Sequence, residues 1–92
     1  MRQQCIVSMG IVIPIKEFNK VFPGVFFDIY MDGKESFVDE HDVDIFYEGE
    51  DDVSEIFLCS SAPESYVKLH KFVHTYFPTH KIQSREFLYE GP

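Results

Sequence analysis

Tryptophan is absent from this chain, and cysteine occurs only twice, as Cys5 and Cys59. Neither cysteine lies in a CxxC pair or a Cys/His cluster, so no thiol metal knuckle or redox motif is encoded. Two isolated cysteines in apolar runs read as buried free thiols in a reducing, cytoplasmic compartment. The longest apolar run, Gly10 to Ile15, falls far short of the roughly 20 residues that span a bilayer. The first residues, Met1-Arg2-Gln3-Gln4, lead into a short apolar run without a small-residue cleavage site, which reads as no signal peptide. No phosphate-cradling glycine loop, nucleophile elbow or dinucleotide-binding glycine motif occurs. Positive charge is scarce too: eight Lys and Arg stand against sixteen Asp and Glu, with a sequence pI near 4.8. Direct binding to nucleic acid or to an anionic membrane needs a basic footprint, so both are excluded as expectations.

What is present is acid, and it is segregated. Twelve of the sixteen carboxylates lie between residues 28 and 55: Asp28, Asp32, Glu35, Asp39, Glu40, Asp42, Asp44, Glu48, Glu50, Asp51, Asp52 and Glu55. Only Lys34 opposes them, whereas the rest of the chain is slightly basic. The total of −8 is ordinary for a soluble domain; its concentration in one stretch is not. A field of one sign selects partners of the other, so a basic protein is the expected partner. A plain solvated face is the competing reading, since acids on a sheet keep a protein soluble and block edge pairing. Concentration without interleaved cations favours a binding face, because self-repulsion exceeds what solubility requires.

The 92 residues form one small acidic domain, 1–92, with room for one modest core. Ten Phe and five Tyr argue against disorder. Residues 4–13 predict a buried strand ended by Pro14, and residues 16–22 a short helix stopped by Pro23-Gly24. Residues 25–31 and 34–39 flank Asp32-Gly33, the strongest short hairpin signal. In such a hairpin one face holds Asp28, Glu35 and Asp39 among Phe26, Tyr30 and Phe37. Residues 42–48 predict a strand with Asp42, Asp44 and Glu48 on one side. Same-face neighbours there stand ~6.6 Å apart, close to every second phosphate of a duplex strand at ~3.4 Å each. Residues 48–52 read as an acidic loop and 53–60 as another strand. Ser61-Ala62-Pro63-Glu64 fits a capping box opening a helix to about Phe77, with an apolar stripe of Tyr66, Leu69, Val73 and Tyr76. Residues 81–89 predict a last strand or tail. The fold class is therefore α+β: an antiparallel sheet with one main helix, in the C-terminal half, packed on a face, and a short helix near residues 16–22.

Few constellations carry chemistry. Asp32-Gly33-Lys34 matches half of a restriction-type nuclease site, but a hairpin turn explains it better. A calcium loop counted from Asp28 has Tyr30 at its third place and Asp39 where a bidentate Glu is needed. His70 and His74, four apart with His80 beyond, have zinc-like spacing without the Glu of a metalloprotease helix, and read as surface histidines. His41 sits among acids. Ser60 and Ser61 are explained by capping and Cys59 by a strand. No nucleophile, base and orienting group assemble, so the expectation is a protein that is not an enzyme, with no cofactor and no metal.

Length, acidity, missing catalytic groups and the acidic segment from Asp28 to Glu55 together resemble the phage-encoded DNA-mimic anti-restriction proteins, of the Arn type found in T-even phages. The resemblance implies a homodimer in the bacterial host cytoplasm that imitates duplex DNA. It would cover the DNA-binding surface of a host restriction enzyme, notably a modification-dependent one of the McrBC type. The role it carries to this chain is negative surface charge, at the twelve acids named above. An anti-CRISPR protein, an acidic adaptor for a basic host protein and a small metal-dependent hydrolase are the alternatives.

Overall fold

The computed structural model describes residues 2–48 and 55–91. The chain runs β1 (Arg2–Pro14), α1 (Ile15–Val21), α2 (Val25–Asp32), α3 (Ser36–His41), β2 (Asp44–Glu48), β3 (Glu55–Ser60), a 3-10 turn (Pro63–Ser65), α4 (Tyr66–Tyr76) and β4 (Gln83–Gly91). The four strands form one antiparallel sheet in the order β2-β3-β1-β4. This is the α+β fold that the sequence pattern implies. The short helix near residues 16–22 is α1, and the main helix of the C-terminal half is α4.

Strand alternation sorts the side chains into two faces. On the helix side, Ile11 and Ile13 of β1 stand beside Leu58 and Ile56 of β3, all fully buried. Phe18 of α1, Phe37 of α3, Val43 and the α4 residues Leu69, Phe72 and Val73 close over them, with Phe77 beyond the helix end. The α4 stripe thus centres on Leu69, Phe72 and Val73; Tyr66 is half-buried and Tyr76 exposed. Aromatic rings make the contact between helices. Phe22 packs edge-on to Phe37 at 4.9 Å and stacks on Phe72 at 5.7 Å, while Phe18 stacks on Phe77 at 6.2 Å. Such pairs contribute roughly 0.5–1.5 kcal/mol each beyond area burial. On the opposite face Phe57 and Cys59 are also fully buried, and the Arg85 guanidinium lies 4.5 Å from the Phe57 ring centre.

Two local expectations are corrected. Residues 25–39 do not form a hairpin: α2 and α3 occupy this span, and Gly33 ends α2 in the left-handed conformation at φ 65°. Asp-Gly serves a helix stop as well as a hairpin turn, because both need a residue free to adopt positive φ. The Gly33 amide reaches the Ile29 carbonyl and the Lys34 amide the Asp28 carbonyl, closing the helix end. Nor does Ser61 cap a helix. Its hydroxyl meets that of Ser8, and the Ser60 hydroxyl accepts from the Ala62 amide, so the chain enters α4 through a 3-10 turn with Pro63 in its first position. The amide that the cap would have served, that of Glu64, is left to the 3-10 turn because the Ser61 hydroxyl is taken by Ser8.

Candidate functional site

The helices, rather than a pleated hairpin, distribute the acids. Asp28 and Asp32 lie four residues apart on α2; Glu35 precedes α3 and Asp39 follows it by four. A four-residue step rises ~6 Å along a helix and keeps both groups on one side. The spacing expected from a strand therefore recurs on a different element. Glu40 is on α3, and Asp42 ends that helix with a left-handed φ of 55°. Asp44 opens β2; Glu48 closes it, opposite Glu55 of β3. Asp42 falls outside β2, so the expected strand row of Asp42, Asp44 and Glu48 reduces to Asp44 and Glu48, with Phe46 between them. Glu50, Asp51 and Asp52 lie outside the described residues.

These carboxylates face solvent. Asp32, Glu35, Asp39, Glu40, Asp42, Asp44 and Glu55 are exposed and Asp28 is half-buried. Among the described residues the ion pair is His80 with Glu17, at 2.7 Å, away from this stretch. Several acids stand where charge disfavours folding. Asp32 and Glu40 are near helix C-termini, where the backbone dipole already carries partial negative charge. The pairs Asp28–Asp32 and Glu35–Asp39 place like charges four residues apart, each at a cost of roughly 0.2–0.5 kcal/mol.

Asp39, Asp42 and Asp44 converge on a hollow of about 430 Å³ that Ser60 and Ser61 also line. The Ser65 hydroxyl donates to Asp42. Desolvation against the sheet, reinforced by the Asp42 carboxylate, raises the Asp44 pKa above the usual carboxylate range. Burial, then the neighbouring Asp44 charge, pushes the Cys59 thiol up to about 12. A thiol held neutral is a poor nucleophile and a poor metal ligand.

Of the sequence candidates for chemistry, none is assembled among the described residues. Asp32-Gly33-Lys34 is the end of α2, and the would-be calcium loop from Asp28 is helical at its start. His70, His74 and His80 line one hollow with Lys81, yet no group of three or more His, Cys, Asp or Glu has metal-holding geometry among the described residues. His41, flanked in sequence by Glu40 and Asp42, packs its ring against Phe37 at 4.6 Å and Phe72 at 5.1 Å. Phe37 does not join the acidic face, since it is buried in the core.

Sequence reasoning missed Tyr47 as part of an aromatic group beside the acids. Phe26 and Tyr30 stack at 5.6 Å, and the Tyr47 ring lies 5.6 Å from Tyr30 and 6.3 Å from Phe26. The four-residue interval between Phe26 and Tyr30 could not reveal it, because it puts both rings on one side in a strand and in a helix alike, and only the helix's ~6 Å rise over four residues lets them stack. No helix among the described residues is long and apolar enough to cross a membrane. No family model, curated protein or solved structure matches this chain.

Proposed function

We propose that the chain is a non-enzymatic acidic inhibitor whose carboxylates from Asp28 to Glu55 take the place of DNA phosphates on a basic DNA-binding protein. The target class is a host defence enzyme, a modification-dependent restriction endonuclease of the McrBC type first among them. One observation carries this reading: a run of exposed acids along α2, α3 and β2 that makes no ion pair among the described residues and includes repelling pairs. Solubility alone does not call for charges at helix C-termini or at repelling intervals. Phosphate-binding surfaces gain affinity by releasing counterions, and carboxylates fixed on short helices offer comparable charge on an ordered scaffold.

A second reading, another acidic interaction module such as an anti-CRISPR protein or an adaptor for a basic host protein, draws on the aromatic group of Phe26, Tyr30 and Tyr47 beside the acids, which a pure charge mimic does not need. A symmetric dimer would double the acidic face, and an isologous pair is the expected assembly.

The test is competition. Labelled duplex DNA is bound to a panel of basic DNA-binding proteins that includes a modification-dependent restriction enzyme, and the chain is titrated in at two salt concentrations. Displacement from one target, weakened by salt, is expected. Displacement insensitive to salt, or none from any member, refutes the mimic; sedimentation of the free protein tests the dimer.

A further inference from the structure

Helix α2 departs from the usual pattern of a surface helix. Six of its eight residues are apolar (Val25, Phe26, Phe27, Ile29, Tyr30, Met31), yet none is fully buried. Helices apolar all round belong in interiors. Val25, Phe26 and Ile29 lean on the core. Phe27, Tyr30 and Met31 point away from it, with 59%, 62% and 61% of their surface exposed, and Tyr47 adds a ring that is 45% exposed. Alongside, Pro23, Gly24 and Asn19 complete a groove of about 440 Å³ with Phe26, Phe27, Tyr30 and Met31. The groove has no charged lining residue. Its flanks carry charge: Asp28 and Asp32 share α2 with the groove residues and Glu35 follows the helix, against Lys20 and Lys34. Exposed apolar patches with a polar rim mark interaction sites.

The chemistry of the rim selects the occupant. An anionic membrane is repelled by these acids, and so is the same rim on a second copy. A small molecule buries roughly 70–90% of its surface in its pocket, which walls this exposed do not provide. A basic segment with one apolar side meets both requirements, apolar contact in the groove and opposite charge at its edges.

We propose that the α2 groove is a docking site for a basic amphipathic helix of a partner protein, with Phe27, Tyr30 and Met31 as apolar anchors and Asp28, Asp32 and Glu35 as the surrounding charge. This deepens the reading of the chain as an acidic partner-binding protein and rests on it, but not on the identity of the target. Charge brings the two surfaces together; the anchors set how long they stay.

The probe is a synthetic amphipathic peptide with a leucine face, a lysine face and one tryptophan. Because this chain has no Trp, the indole emission reports the peptide alone. The peptide is expected to bind with a blue-shifted emission. The triple variant Phe27→Ser, Tyr30→Ser, Met31→Ser is expected to bind about tenfold more weakly or worse, and Phe27→Ser, Met31→Ser, which keeps the Tyr30 ring on Phe26 and Tyr47, to weaken binding with far-UV circular dichroism unchanged. Chemical-shift mapping on the unaltered protein supplies a second readout, with the largest changes expected at Gly24, Phe27, Tyr30 and Met31. Three results overturn the proposal: no binding by the unaltered protein, shifts centred elsewhere, or equal binding by a peptide carrying Glu in place of Lys. The two readings fail separately. A triple variant that still displaces DNA normally refutes the anchor and spares the charge reading. Neutralising Asp39, Glu40 and Asp44 without effect on displacement refutes the charge reading and spares the anchor.

Discussion

Asp44 concentrates the tension of the acidic stretch in one residue. It opens the edge strand with Cys59 as its cross-strand neighbour, and both desolvation and the Asp42 charge raise its pKa. A carboxyl with a raised folded pKa binds its proton more tightly folded than unfolded. Its favourable contribution is therefore complete below the unfolded value near 3.8 and is lost as pH rises through the folded value. At neutral pH the ionised group opposes folding. Asp44→Asn should stabilise the protein there by about 0.5 kcal/mol after solvent screening, roughly 2–4 °C in Tm. The gain should vanish near pH 3; a gain unchanged at that pH would contradict the assignment. Cys59 provides an independent check. Cys5 is exposed, whereas Cys59 is buried with its thiol pushed up to about 12. A thiol reagent at pH 8 should label Cys5 promptly and reach Cys59 only on unfolding. The burial of Cys59 was legible from its apolar run, but the same expectation for Cys5 is corrected, since Cys5 is exposed on β1; the tension at Asp44 was not legible in the sequence, where it was one acid among twelve.

The elements themselves were mostly legible, and the exceptions have a common cause. β1, β3, α1 and α4 follow from apolar runs bounded by prolines and turn residues. The segment Val25–Asp32 did not. Its aromatic and β-branched residues favour a strand, and both a strand and a helix put Val25 with Ile29 and Phe26 with Tyr30 on one side; only the helix, rising ~6 Å over four residues against ~13 Å in a strand, brings each pair into contact. Tertiary packing decided it: Val25, Phe26 and Ile29 meet the core. Two glycines test this architecture at different depths. Gly33 has open space around its Cα but a φ of 65°, so Gly33→Ala should cost about 1–2 kcal/mol through backbone strain alone, and Gly33→Asn less. Gly10 is the opposite case. A Cβ there would stand 2.3 Å from the Leu58 carbonyl oxygen and 2.5 Å from the Cys59 Cβ. Gly10→Ala must push β1 away from β3 at the centre of the sheet. It should cost ~3 kcal/mol or more, or prevent folding, whereas Gly33→Ala should leave a folded protein; urea titration distinguishes them.

Across the whole molecule, the candidate site was legible as charge but not as shape. The clustering of acids is a property of sequence order, which α2, α3 and β2 follow, and the fold brings Asp39, Asp42 and Asp44 to one hollow. The groove was hidden because it depends on which side of α2 meets the core. A surface of this kind sets stability against function. If the acids serve a partner, neutralising those at unfavourable positions should strengthen the free protein while weakening its complex. Asp32 at the end of α2 is the sharpest instance: no cation lies in that last turn. Asp32→Asn should raise stability by about 0.3–1 kcal/mol at low ionic strength and reduce displacement of DNA from the target by a modest factor. Salt should mimic the first effect, since screening at 0.5 M ionic strength, with a Debye length of roughly 4 Å, quiets repulsion between neighbouring acids; Tm should rise accordingly. Binding should fall in graded steps as further acids are neutralised, because a field is a sum of many charges. Loss of all activity on changing one carboxylate would point instead to a metal-dependent hydrolase, in which each ligand is indispensable. Measuring stability and displacement on the same series of Asp→Asn variants separates the outcomes: opposite trends mark a binding face, stability gains without loss of displacement mark a plain solvated surface, and an abrupt loss marks catalysis.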